Sequence, residues 1–214
     1  MRDRMEARST HSPRTPMTSA AFIRALNSGP VHVVGWSYGG AISLVLVVQH
    51  PELVKSLFLF EPGFTTFITD PADAKVAGAD RQELVAPAAL ASEAGDTAAA
   101  VRPFTDGVLS QPGAFDKLPA SARSMLLDNA RTVPLQLGAP APPQISCDQL
   151  GQIRVPVAIA NGELTRPCFR IPADAASRCI LGSRRIVIPK GRHNSPIEFP
   201  SAFNEALLGF LKDN

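Results

Sequence analysis

The sequence predicts an α/β fold built on a parallel sheet, and two observations lead to this class. Short apolar segments bounded by Gly, Pro and Asn alternate with segments that carry apolar residues at helical spacing, which is typical of βαβ units. The middle of the chain, in contrast, shows helical patterns only. The predicted strands are residues 31–34, 57–60, 157–160 and 185–188. The predicted helices around them are residues 20–27, 41–50, 172–180 and 201–211.

Residues 63–148 are predicted to form a helical insertion between two parts of the sheet. Ala-rich helical patterns at 82–94, 97–109 and 120–132 are separated by Pro and Gly. The Pro-rich segment 134–144 is expected to connect the insertion back to the sheet. The predicted domain organisation is therefore a disordered tail at 1–18, an α/β core at 19–62 and 149–214, and an insertion at 63–148.

Composition and charge limit the partners that the chain is expected to bind. Its 214 residues carry 21 Lys and Arg against 19 Asp and Glu, a net charge of +2. Such a balance provides no field that would attract nucleic acid or an anionic membrane. The longest apolar run, residues 41–48, is too short to span a bilayer. The expected partner is therefore a small-molecule substrate, without nucleic acid or membrane, and the expected location is the cytoplasm.

Three cysteines, Cys147, Cys168 and Cys179, lack the paired spacing of a metal site. An odd number fits a reducing compartment better than a disulfide framework. The sequence thus predicts free thiols and no metal or other cofactor.

The motif Gly35-Trp36-Ser37-Tyr38-Gly39 lies between a predicted strand and a predicted helix. A nucleophilic serine on a sharp strand-to-helix turn needs small residues two positions before and after it. Gly35 and Gly39 satisfy this requirement, and Gly40 extends it. The turn would expose the Ser37 hydroxyl, and the backbone N–H of Tyr38 would face an oxyanion.

Three segments of the chain resemble the α/β-hydrolase family, over about residues 28–211. VHVVGWSYGGAISLVLVVQHPELVKSLFLFEPG is similar to the fifth strand, nucleophile elbow, following helix and sixth strand of that family. IRVPVAIANGELTRP resembles the seventh strand and its loop, and VIPKGRHNSPIEFPSAFNEALLGFL resembles the eighth strand, histidine loop and last helix. The resemblance implies a serine hydrolase in which the helical insertion is a cap.

The resemblance also implies that His193 is the catalytic base, because it follows a predicted strand and a glycine-containing loop. A serine hydroxyl needs such a base within hydrogen-bond reach and a carboxylate that orients the base. The other histidines are weaker candidates: His11 lies in the predicted tail, His32 within a strand and His50 at a helix end.

The triad acid departs from the commonest pattern of the family, which places Asp after the seventh strand in a G-x-x-D arrangement. Here this segment reads Gly162-Glu163-Leu164-Thr165, so a threonine stands where the aspartate is expected. Glu61 directly follows the strand at 57–60, and some family members carry their acid there. Glu61 is therefore the first candidate, Glu163 the second, and a degenerate triad the third.

Only thirty-six residues precede Ser37, whereas the family normally has four strands there. The resemblance thus implies a partial fold that lacks a loop supplying a second oxyanion N–H. The predicted strand 31–34 would be an exposed sheet edge, prone to pairing with another strand. Truncation is the expected explanation, and a partner chain or a homo-oligomer that pairs these edges is the alternative.

The function expected from the resemblance is acyl transfer to water from a small ester-like substrate, through a Ser-Glu-His triad. A non-catalytic remnant or binding module is the alternative outside catalysis. Cofactor-free haloperoxidases, C–C bond hydrolases and acyltransferases of the family use the same triad and remain open. Candidate pocket residues, which more often form the core of a cap, are Phe64, Phe67, Phe104, Phe115, Met125 and Leu126.

Overall fold

The computed structural model describes residues 14–63, 66–137 and 144–214, with side chains from residue 18 onward. Four strands are found in these ranges: β1 (Val31–Trp36), β2 (Val54–Phe60), β3 (Val157–Gly162) and β4 (Arg184–Ile188). The helices are α1 (Arg14–Leu26), α2 (Tyr38–Gln49), α3 (Pro71–Glu93), α4 (Thr97–Val108), α5 (Ala114–Lys117), α6 (Ala120–Asp128), α7 (Thr132–Leu137), α8 (Cys147–Leu150), α9 (Pro167–Cys179), α10 (Ser195–Glu198) and α11 (Pro200–Lys212). None of the described helices is long and apolar enough to cross a bilayer.

The strands form one parallel sheet in the order β1-β2-β3-β4, which confirms the predicted fold class. Trp36 pairs with Phe60, and Phe60 pairs with Ala160, so the carboxyl ends of β1, β2 and β3 are in register. Ligand sites of open parallel sheets lie at this edge.

Helices cover both faces of the central strands, and the alternation along β2 shows how. Leu57 and Leu59 pack in one core with residues of α2 and α9, while Phe58 and Phe60 pack in a second core with Phe203 of α11. A strand that is buried on both faces has a continuous apolar sequence, as residues 57–60 of β2 and 157–160 of β3 do. β1 lies at an edge of the described sheet, and its Val34 is 47% exposed. Pairing of this edge with a second copy stays a prediction.

Helices α3–α8 connect β2 to β3 and include a cluster of their own around Ala88, Val101 and Phe115. The pocket candidates of this region pack mainly into cores: Phe67 is buried, and Phe104 and Leu126 pack against the Phe115 cluster. Met125 is 58% exposed, and Phe64 lies outside the described residues. The division into cap and core stays a prediction.

Several helix boundaries differ from the sequence prediction, most of all the starts of α1, α3 and α9. Helix α3 begins at Pro71, whereas the predicted pattern begins at residue 82. Helix α1 begins at Arg14, so residues 14–18 of the predicted disordered tail are helical. Helix α9 begins at Pro167, five residues before the predicted start at Pro172. Proline is well suited to the first turn of a helix, because its missing N–H would have no partner there. Pro172 lies inside α9 and marks no boundary.

The prediction that all three cysteines are free thiols is wrong. Cys147 and Cys179 form a disulfide, with their Cα atoms 5.1 Å apart, and Cys168 is free and buried. Cys147 begins α8 and Cys179 ends α9, and the packing of these two helices brings them together. Thirty-two residues of sequence separate the two, so their spacing carries no sign of the pairing. The cytoplasmic location stays a prediction, and a disulfide is rare in that compartment.

Candidate active site

Ser37 occupies a strained turn between β1 and α2. Its backbone has φ 54° and ψ −120°, on the positive-φ side that residues other than glycine rarely adopt. The turn is held by hydrogen bonds from Ser37 N to Phe60 O (2.9 Å) and from Ala41 N to Ser37 O (3.1 Å). Gly63 N also donates to Ser37 O (3.1 Å), which ties the turn to the chain that leaves β2. Such strain persists only where the surrounding structure holds it, often at functional sites.

At Gly35 and Gly40, neighbouring atoms leave little or no room for a side chain. A Cβ on Gly35 would lie 2.7 Å from the Gly40 Cα, and a Cβ on Gly40 would lie 3.1 Å from the Pro62 Cα. A Cβ on Gly39 would meet nothing within 4 Å. The expectation that Gly39 has to be small is therefore corrected, because the residue in close contact with Gly35 is Gly40. Tyr38 is the first residue of α2.

His193 lies in the loop after β4 and is 4% exposed. Its Nδ1 is 2.5 Å from Oε2 of Glu61, so the buried pair joins the end of β2 to the loop after β4. A carboxylate in this position accepts the Nδ1 proton and leaves Nε2 as the basic nitrogen. Among the described residues, no hydrogen bond joins the Ser37 hydroxyl to His193.

Glu61 is fully buried, and its carboxylate has three hydrogen-bond contacts. Oε1 accepts from Gly162 N (2.8 Å), and Oε2 accepts from Thr165 Oγ1 (2.9 Å) as well as facing His193. These contacts replace the water that the carboxylate loses on burial, which would otherwise be costly. Glu61 also has a positive φ of 48°, directly after its strand.

Glu163, the second candidate acid, faces elsewhere. Its side chain is solvent-exposed and accepts a hydrogen bond from Lys190 N (2.8 Å). The structure thus brings Glu61, and not Glu163, to His193. Thr165, at the position where the resemblance led us to expect an aspartate, contacts the carboxylate of Glu61 instead.

Two contacts around His193 were not expected from the sequence. The ring of Phe169 stacks on the imidazole, with centroids 3.9 Å apart and planes inclined by 15°. Trp36, which precedes Ser37, places its ring centroid 5.9 Å from that of His193. Phe169 is the third residue of α9, which follows β3. The only sequence signal that could have indicated its role is this position beyond the carboxyl end of a strand.

The remaining histidines that the structure describes lie in other contacts. Nδ1 of His32 is 2.7 Å from Oγ of Ser56, and His50 lies against Arg24 and Glu52. His11 is outside the described residues. The described part of the chain also contains no group of three His, Cys, Asp or Glu side chains that could bind a metal.

A sequence profile of the alpha/beta hydrolase fold matches residues 15–124, which is just over half of the chain. The chain belongs to the alpha/beta hydrolase family. Ser37, Glu61, Thr165 and His193 of this hydrolase follow β1, β2, β3 and β4, respectively, at the strand ends where such sheets hold their ligands.

Solved structures of the same fold are similar to this alpha/beta hydrolase over most of its length. An esterase from Rhodococcus sp. ECU1013 is 18% identical, with a TM-score of 0.70, over 92% of this chain and 71% of its own. An enol-lactonase from Burkholderia xenovorans LB400 is 16% identical, with a TM-score of 0.69, over 92% and 71%. A bromoperoxidase from Bacillus anthracis is 17% identical, with a TM-score of 0.67, over 92% and 72%. At these identities the similarity shows the fold alone. No curated protein matches the chain at a significant level of sequence similarity.

Proposed function

We propose that this alpha/beta hydrolase is a serine hydrolase that cleaves a small ester-like substrate through Ser37, His193 and Glu61. The observation that carries the proposal is the buried hydrogen bond between Nδ1 of His193 and Oε2 of Glu61. This bond fixes the imidazole so that Nε2 is available as a base. The strained turn of Ser37 and the close approach of the neighbouring Trp36 to the imidazole support the proposal that Ser37 is the nucleophile.

The proposed reaction has two halves. His193 Nε2 takes the proton of the Ser37 hydroxyl while Oγ attacks the substrate carbonyl carbon, and the same nitrogen then returns the proton to the leaving alcohol. In the second half, water attacks the acyl carbon while His193 Nε2 takes a proton from the water. The bond from the acyl carbon to Ser37 Oγ then breaks, His193 returns the proton to that oxygen, and the carboxylic acid product leaves. Glu61 stays ionised and stabilises the imidazolium that forms in each half.

The negative charge of each tetrahedral intermediate would be stabilised at the start of α2. There, the backbone N–H of Tyr38 is the proposed donor, because the positive end of the helix dipole points toward the same place. The esterase, the enol-lactonase and the bromoperoxidase that share the fold show that one scaffold accommodates several reactions. Ester hydrolysis is the proposal for this chain, since it needs no reactant besides the ester and water.

The test is covalent labelling of Ser37 by a fluorophosphonate, followed by turnover of p-nitrophenyl acetate and p-nitrophenyl butyrate. We expect labelling and turnover in the unaltered chain, and loss of both in Ser37→Ala. The matched control is Ser43→Ala, since Ser43 lies in the following turn of α2 and donates to Gly39 O (2.8 Å). A folded chain that is neither labelled nor active on either ester would contradict the proposal and favour a non-catalytic binding module.

A further inference from the structure

A short segment, residues 165–169, contacts both members of the His193–Glu61 pair. At one end of this segment, the Thr165 hydroxyl donates to Oε2 of Glu61 (2.9 Å). At the other end, the Phe169 ring stacks on the imidazole of His193 (3.9 Å between centroids). Any shift of the segment would therefore change the carboxylate and the imidazole together.

The same segment is held from the other side by Asp80, which lies on α3 of the helical insertion. Oδ1 of Asp80 accepts from Arg166 Nη2 (2.8 Å), and Oδ2 accepts from the backbone N–H of Cys168 (2.9 Å). Arg166 also reaches Gly107 O at the end of α4 (3.4 Å). The backbone between Thr165 and Phe169 is thus fastened to two helices of the insertion.

The ion pair between Asp80 and Arg166 is largely shielded from water, with 15% and 14% of the two side chains exposed. Burial by itself would raise the pKa of the Asp80 carboxyl, but the hydrogen bonds from Arg166 and Cys168 outweigh it and lower that pKa. Removing one partner of a buried pair leaves the other charge uncompensated. We call this contact the anchor of residues 165–169. Because it is largely shielded from water, salt weakens it less than the ion pairs of a protein surface.

Apolar packing reinforces the anchor. Leu84, one turn after Asp80 on α3, forms a buried cluster with Cys168 and Phe169, and Phe104 and Val108 of α4 pack against this cluster. Phe169 thus has the insertion on one side and the imidazole on the other.

From these contacts we propose that Asp80 is a positioning residue for the His193–Glu61 pair and acts through residues 165–169. The helical insertion, in addition to any contact with substrate, then holds the base in its productive orientation. This inference rests on the proposed function. A small misplacement of a catalytic group is enough to reduce turnover strongly.

The chain supplies a matched control for this proposal. Asp73 and Arg178 also join α3 to α9, with 3.0 Å between the charged atoms, but this pair is solvent-exposed and lies at the far end of α9. Asp73→Asn therefore weakens the same helix pair without touching residues 165–169. Asp80→Asn removes the charge at the anchor and nearly preserves the shape of the side chain.

The experiment compares the two variants by two readouts. One readout is the rate of fluorophosphonate labelling of Ser37, and the other is the low-field proton NMR signal of His193 Nδ1–H, assigned by its loss in His193→Ala. We expect Asp80→Asn to slow labelling about tenfold or more and to shift or broaden the signal, and Asp73→Asn to leave both within about twofold of the parent. Circular dichroism checks that both variants are folded.

Equal effects of the two variants, or no effect of Asp80→Asn on the Nδ1 proton, would overturn the proposal. If Asp80→Asn does not fold, Arg166→Gln tests the same anchor from the α9 side and decides by the same criteria. Because the NMR signal needs no turnover, a chain that is not labelled at all would contradict the proposed function while the signal still decides whether Asp80 positions His193.

Discussion

Thr165 donates a hydrogen bond from its Oγ1 to Oε2 of Glu61, the oxygen that also faces Nδ1 of His193. One carboxylate oxygen therefore accepts a hydrogen bond from a hydroxyl in the loop after β3 and faces the imidazole from the loop after β4. The two donors on one oxygen limit how far the carboxylate can rotate, and so they set the direction in which the imidazole points.

Thr165→Val is expected to lower kcat because it removes this hydroxyl and keeps the shape of the side chain. Without the hydroxyl, the carboxylate and the imidazole that it orients are less well placed, so we expect kcat to fall about tenfold or more. Thr165→Ser should retain most of the activity. Thr105→Val is the control, since it removes a hydroxyl that donates to Val101 O (2.8 Å) within α4 and not to the Glu61 carboxylate. Ester turnover and urea denaturation are measured for each variant. Equal losses of activity in Thr165→Val and Thr105→Val would contradict this role.

Glu61→Gln is expected to reduce kcat by roughly 10³–10⁴-fold, because the amide cannot stabilise the imidazolium and favours the wrong tautomer. Glu163→Gln should leave kcat nearly unchanged, since Glu163 is exposed and accepts a hydrogen bond from Lys190 N (2.8 Å), outside the His193–Glu61 pair. Steady-state kinetics on p-nitrophenyl acetate distinguishes the two carboxylates. Small, equal losses in the two variants would remove Glu61 from the triad.

Gly35→Ala is expected to destabilise the fold by about 1–3 kcal/mol, the usual cost of overpacking. The new Cβ would lie 2.6 Å from Ser43 Oγ and 2.7 Å from Gly40 Cα, and the second of these is backbone. Gly39→Ala should be neutral or stabilising by up to about 1 kcal/mol, because its Cβ has open space and alanine favours the helix. The free energy of unfolding, measured in urea for both variants, checks the contrast, and an equal loss in both would contradict it.

The disulfide predicts a thiol count. Unfolded chain without reductant should show one reactive thiol, from Cys168, and chain treated with reductant should show all three. Cys147→Ser should lower the free energy of unfolding by about 2–4 kcal/mol under oxidising conditions and have no such effect under reducing conditions. Three thiols in the untreated chain would show that the pair is not joined in solution.

The lowered pKa of Asp80 predicts a specific loss of stability in acid. A carboxyl whose pKa is lower in the folded state stabilises the fold fully above its unfolded pKa, near 3.9, and this contribution is lost as the pH falls through the folded value. The free energy of unfolding of the parent should therefore fall below about pH 4 more steeply than that of Asp80→Asn. Urea denaturation at pH 7 and pH 3, with Asp73→Asn for comparison, tests this difference. Parallel slopes for the parent and Asp80→Asn would contradict it.

The parts of the fold that follow from local pattern could be predicted from the sequence. All four strands and the parallel sheet were expected, because apolar runs between turn residues are a property of the chain itself. The strand-turn-helix context of Ser37 was expected for the same reason. Helix starts were less predictable: α9 begins at Pro167 and continues through Pro172, because proline is compatible with the first turn and packing outweighs its cost further in.

The sequence by itself determined the family, the strained turn at Ser37 and the short list of side chains that could complete a catalytic site. Only the tertiary structure decided which members of that list meet. It pairs Glu61 with His193 across 132 residues of sequence, turns Glu163 toward Lys190, joins Cys147 to Cys179 and sets Phe169 against the imidazole. The reason is physical: turn and strand preferences are local energies that a short segment carries with it, whereas these contacts exist only after the sheet has brought the ends of separate strands to one place.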